Sequence, residues 1–92
     1  MILTFRHKGL ERFFRTGSTS GIQAKHAKKL RLILAQLDQA KMVEDMNTPG
    51  LALHALKGDR KGTWSATVQA NWRITFRFEN GNTEVVNYED YH

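Results

Sequence analysis

Apolar positions in the first half of this 92-residue chain recur at helical steps, and those in the second half alternate. Ala27, Leu30, Ile33, Leu34 and Leu37 follow i, i+3, i+4 spacing and predict a helix over residues 23–40. Lys25, Lys28, Lys29, Arg31 and Gln36 fall on its solvated face. A shorter helix is predicted over residues 8–15, where Leu10, Phe13 and Phe14 share a stripe and Gly17 is placed to cap the C-terminus. Ahead of it, residues 2–5 are short and apolar enough for a strand, and residues 16–21 form a Ser/Thr/Gly loop. The only proline, in Pro49-Gly50, marks the loop between the two halves.

Beyond that loop the period is two. Trp64, Ala66 and Val68 alternate with Thr63, Ser65 and Thr67, and Trp72, Ile74, Phe76 and Phe78 alternate with Arg73, Thr75, Arg77 and Glu79. Both runs predict half-buried antiparallel strands. Asn80-Gly81 is a strong type I′ hairpin signal, so a further strand should follow over residues 83–89. A two-residue turn there sets Phe76 opposite Val85, Arg77 opposite Glu84 and Arg73 opposite Tyr88. A three-residue loop over 69–71 sets Val68 opposite Trp72 and Trp64 opposite Phe76. Both registers gather the apolar side chains on one face. The expected fold is therefore α+β: one domain over residues 1–92, a mostly antiparallel sheet with two N-terminal helices packed on one face. The other face should carry Ser65, Thr67, Arg73, Thr75, Arg77 and Tyr88. Arg77 reads as a cross-strand partner of Glu84, whereas Arg73 has no acidic partner in this register and is left available to a ligand.

Charge sharpens this picture. A net charge of +5 on so small a surface favours a polyanionic partner. The absence of cysteine excludes a disulfide framework and thiolate metal sites. No apolar run approaches the roughly 20 residues that span a bilayer, and the N-terminus does not read as a signal peptide. A cytoplasmic protein with no membrane partner is expected. Without an HExxH pair or a Walker loop, metal-hydrolase and NTPase readings are weak, and no cofactor is expected.

Two clusters carry candidate chemistry: His54-Ala55-Leu56-Lys57-Gly58-Asp59-Arg60-Lys61-Gly62, and Tyr88-Glu89-Asp90-Tyr91-His92. Cleaving RNA through its own 2′-hydroxyl requires a base, an acid, cations around the crowded phosphorane and a means of holding the strand in line. Histidine carries protons near neutral pH. Lysine and arginine supply fixed charge, and tyrosine stacks a base or donates a hydrogen bond. A histidine in a small domain is more often structural, which applies to His7, His26, His54 and His92 alike. A metal held by His54, Asp90 and His92 is the alternative that the residue types leave open.

The chain resembles the HigB toxins, or plasmid-maintenance killer proteins, of the RelE superfamily. The resemblance is carried by Phe5-Arg6-His7-Lys8-Gly9-Leu10, Leu53-His54-Ala55-Leu56-Lys57-Gly58-Asp59-Arg60, Ala70-Asn71-Trp72-Arg73-Ile74-Thr75-Phe76 and Asn87-Tyr88-Glu89-Asp90-Tyr91-His92. It implies a microbial-ribonuclease-like fold and a type II toxin that cleaves messenger RNA on the ribosome without a metal. It also implies a HigA-like antitoxin with a helix-turn-helix domain, in a toxin–antitoxin heterotetramer that binds operator DNA through the antitoxin. The family's catalytic positions match His54, Lys57, Asp90, Tyr91 and His92, and Arg73 matches a phosphate-stabilising position. Arg60 and Lys61, beside the first cluster, are expected to contact RNA. The antitoxin is expected on the helical side. Two rival readings are a gyrase-poisoning toxin of the same fold, which would not need the histidines, and a non-catalytic RNA-binding module.

Overall fold

The computed structural model describes residues 1–90; Tyr91 and His92 lie outside the described residues. Helix α1 spans Lys8–Thr16 and α2 spans Ala27–Gln39, the latter preceded by a 3₁₀ turn at Ala24–His26. Four strands follow: β1 (His54–Ala55), β2 (Trp64–Gln69), β3 (Trp72–Glu79) and β4 (Asn82–Asp90). They form an antiparallel sheet in the order β1-β2-β3-β4. The expected α+β architecture is therefore the observed one.

Local chemistry accounts for the boundaries. The Nδ1 of His7 accepts the Leu10 amide at 2.9 Å and so caps α1. Gly17, at φ 82°, closes the helix with its amide on the Phe13 carbonyl. A Cβ on Gly9 would collide with the backbone of Gly21, so α1 and the loop after it touch where no side chain fits. Residues 2–5 do not form a strand of their own. They make isolated parallel bridges to β4, Ile2 to Thr83 and Phe5 to Val86. That segment covers the outer edge of β4, while β1 at the opposite edge is only two residues long, so neither edge offers a long template for pairing.

Helical and strand stripes meet in one core. Leu10, Leu30, Ile33, Leu34, Leu37, Ile74, Phe76 and Val86 are buried there, and Trp64 and Trp72 pack against it.

Two bulges correct the expected registers. The Asn80-Gly81 turn has both residues at positive φ, as type I′ requires, and sets Arg77 opposite Glu84. A shift between Thr75 and Arg77 then moves every later pair by one, so Arg73 faces Glu89 and Tyr88 faces Ile74. The extra residue is Val85, at φ 54°. The reason is burial. In the unbulged register Asn87 and Glu89 would point at the helices, whereas the bulge sends Val86 and Tyr88 inward. Tyr88 is thus a core residue and not part of the polar face, and Phe76 does not pair with Val85. In the β2–β3 hairpin Trp64 faces Phe76 as expected, but Gln69 pairs with Trp72 across a two-residue loop, and Val68 is the bulged residue. Val68 is buried, on the same inner face as Ala66.

Phe76 is fully buried where the helices meet the sheet. Phe76→Ala is expected to cost about 3–5 kcal/mol, measured by denaturant unfolding; an unchanged midpoint would contradict this packing.

Candidate active site

The sheet face turned away from the helices is built in rows. His54, Ser65, Thr75 and Asn87 lie opposite one another across all four strands, and Thr67, Arg73 and Glu89 form the next row. Over these rows folds the 3₁₀ turn Gly58–Arg60. Its Arg60 grips Glu89 bidentately, with both nitrogen–oxygen distances 2.8 Å. Thr75 donates its hydroxyl to the same carboxylate at 3.0 Å, and Asn87 donates its amide at 3.1 Å. Hydrogen bonding from Arg60, outweighing the opposing effect of partial burial, holds Glu89 below the ordinary carboxylate range. Arg60, expected to touch RNA, is thus committed to a carboxylate that pins the basic loop to the sheet.

His54 is exposed at the start of β1, and its Nδ1 lies 3.0 Å from the Ala52 carbonyl. A carbonyl only accepts, so Nδ1 carries the hydrogen, and a neutral ring leaves its Nε2 lone pair free to take a proton. The backbone that presents this carbonyl is strained, with Ala52 at φ 47°. Lys57 is exposed at the start of the 3₁₀ turn, and Lys61 is exposed at its end.

The two arginines of β3 exchange the roles read from sequence. Arg73 bonds the Ala70 carbonyl at 2.6 Å and the Trp72 carbonyl at 3.2 Å. Arg77 faces Glu84 across the hairpin but makes no ion pair with it among the described residues.

The remaining residues divide by face. Asp90 ends β4 opposite Trp72, so alternation turns it away from the Glu89 row, and it rims a hollow with Lys25, His26 and Asn71. His7 and His26 are structural. His7 caps α1, and burial lowers its pKa. His26 is buried and shares a hydrogen bond between its Nδ1 and the Tyr88 hydroxyl. Tyr88 stacks on Trp72 with ring centroids 4.6 Å apart, and burial raises its pKa. Of the candidate positions, the structure brings His54, Arg60 and Arg73 onto one face. It sets Asp90 at that sheet's end, and Tyr91 and His92 lie outside the described residues. Glu89 was visible only as part of the C-terminal acidic cluster; its role depends on the bulge.

The fold is that of the RelE/ParE class of small toxins. It superposes on the YoeB/ParE toxin from Agrobacterium tumefaciens with a TM-score of 0.62, covering 100% of both chains at 21% sequence identity. A family model for the RelE-like toxin of the type II toxin–antitoxin system HigB matches residues 3–92. The chain is 49% identical over 92 residues to Endoribonuclease HigB of Proteus vulgaris, covering 100% of each. It belongs to the HigB family of type II toxin–antitoxin toxins, and an antitoxin is therefore its partner. No described helix is long and apolar enough to cross a membrane.

Glu89 contributes stability because its folded pKa lies below its unfolded value. That contribution is fully present above the unfolded pKa and is lost as pH falls through the folded one. Glu89→Gln is expected to lower stability at neutral pH by about 1–2 kcal/mol, allowing for partial exposure. The gap from wild type should close in acid, below the ordinary carboxylate pKa of about 4. Unfolding curves at both pH values check this, and a gap that does not change with pH would contradict it.

Proposed function

We propose that this protein is a ribosome-dependent endoribonuclease that cleaves messenger RNA by metal-independent acid–base chemistry and so arrests translation. The observation that carries the reading is His54, exposed on a cationic sheet face with its Nε2 left available by the bond from Nδ1 to Ala52. The named activity of the Proteus vulgaris relative supports it.

In the proposed reaction a base removes the 2′-hydroxyl proton and the 2′-oxygen attacks phosphorus. The bond from phosphorus to the 5′-oxygen breaks, and an acid protonates that leaving oxygen. The products are a 2′,3′-cyclic phosphate and a 5′-hydroxyl. His92, assisted by Asp90, handles one proton transfer, and His54 carries the other or orients the group that does. Lys57 and Arg73 stabilise the phosphorane charge, Tyr91 positions a base or the phosphate, and Lys61 adds phosphate contact. For Arg73 this means exchanging backbone carbonyls for phosphate oxygens, a favourable trade for a guanidinium.

The partner is a HigA-like antitoxin with a helix-turn-helix domain, joined to the toxin in a heterotetramer that binds operator DNA. It docks on the helical side and leaves the cationic sheet face open. The site of action is the cytoplasm.

His92→Ala and His54→Ala should each slow cutting by about 10²–10⁴, measured as message cleavage on programmed ribosomes, with folding and antitoxin binding unchanged. Cleavage by the wild type should persist when divalent ions are chelated on cross-linked ribosomes. A folded His92→Ala variant that cuts at the wild-type rate would place the chemistry elsewhere.

A further inference from the structure

On the same sheet face, toward the β3–β4 turn, lies an open cleft of about 250 Å³. Three arginines line it, each from a different part of the chain: Arg6 from the N-terminal segment, Arg60 from the 3₁₀ turn and Arg77 from β3. Glu89 neutralises Arg60. The side chains of Arg6 and Arg77 make no ion pair or hydrogen bond with any described residue. Asp59 is the only carboxylate among the lining residues, and it is outnumbered. Thr63 adds a hydroxyl.

The loop after the 3₁₀ turn lies close against one of these cations. A Cβ on Gly62, at φ +94°, would come within 3.1 Å of Arg77 Nη2, so the guanidinium lies against the loop where a side chain would crowd it. The Val85 bulge lines the cleft as well. A valine at φ 54° is a strained conformation, kept here by the pairing of residues 1–6 with β4. Like charges gathered at one polar cleft repel one another, and a bound anion relieves that repulsion. Guanidinium groups match the tetrahedral oxygens of phosphate bidentately.

We propose that this cleft binds a phosphodiester of RNA a few nucleotides from the bond that is cut. The proposal rests on the reading of the protein as an RNA-cutting toxin. His54 and Asn87, a lining residue, end one row across four strands. At a strand spacing of about 4.8 Å the row spans about 14 Å, a length of single strand that covers a few nucleotides. Arg6 and Arg77 therefore bind and align the strand without touching the reacting atoms, and they raise affinity without changing the chemical step.

The test uses the full chain and programmed ribosomes whose message is 2′-O-methylated and cannot be cut. Binding is measured across salt for wild type, for Arg6→Ala/Arg77→Ala and for the charge-matched control Arg12→Ala/Lys41→Ala. The cleft variant should bind about tenfold or more weakly, with the slope of log affinity against log salt reduced by one to two. The control should change far less. On unmodified message the cleft variant should cut at the wild-type rate once saturated, with a raised KM.

Single methylphosphonates in the message locate the phosphate. If one position weakens wild type and does not weaken the cleft variant further, the message supplies the phosphate. If wild type tolerates every position while the cleft variant still binds weakly, the phosphate belongs to ribosomal RNA, and the placement beside the cut bond is overturned. A folded cleft variant with wild-type affinity and salt slope overturns the proposal. Wild-type protein that binds but leaves unmodified message uncut overturns the activity reading and leaves the cleft standing.

Discussion

The single extra residue at Val85 decides which side of β4 does what. Before the bulge β4 pairs in phase with the hairpin turn; after it the strand is shifted by one, and a one-residue shift exchanges the two faces of a strand. Val86 and Tyr88 are driven into the core by the area they bury, and Asn87 and Glu89 are carried to the open face. Everything on that face follows. Glu89 becomes an anchor for Arg60, the basic loop is held over the sheet, and Arg73 on β3 stands directly opposite the fixed carboxylate, with His54 two strands further on. Tyr88 in turn joins His7, His26 and Trp72 to form the packing that joins both helices to the strand's end.

A carboxylate among the cations of this face has an electrostatic role beyond stability. Without it, Arg60 would stand beside Arg6 and Arg77 with only Asp59 among the residues lining the cleft to offset the repulsion. With it, the loop that carries Lys57 and Lys61 is held close while part of the positive field is cancelled locally. The charge left uncancelled is concentrated at the edges of the face, where a polyanion can approach.

The sequence made much of this legible. The helical stripe from Ala27 to Leu37, the pairing of Trp64 with Phe76, the Asn80-Gly81 turn and the Gly17 cap all follow from short-range patterns, and all are present. What was not legible depended on pairing between distant segments. Nothing local asks a valine to adopt a left-handed conformation. Only the competition between Val86-Tyr88 and Asn87-Glu89 for the core reveals the bulge, and that signal was present in the alternation but out of phase with the turn. The bulge displaces the register of Arg73 and brings it opposite Glu89, whereas Arg77 keeps its expected place opposite Glu84 and simply makes no ion pair with it among the described residues. Residues 2–5 were apolar enough for a strand, but their pairing with β4 could not be inferred from their own pattern. For that reason nothing in the sequence pattern makes Arg6 a neighbour of Arg77.

That pairing has a kinetic consequence. The Val85 amide bonds the Thr4 hydroxyl across a sequence separation of 81 residues, close to the longest contact the chain can make. Helices and hairpins form from neighbours and can form early, whereas a closure of this length waits for the rest of the chain to bring its ends together. Arg6 therefore reaches the open face only once that closure is made. The surface that includes Arg6 thus depends on contacts between the two ends of the chain, whereas the hairpins depend on neighbours.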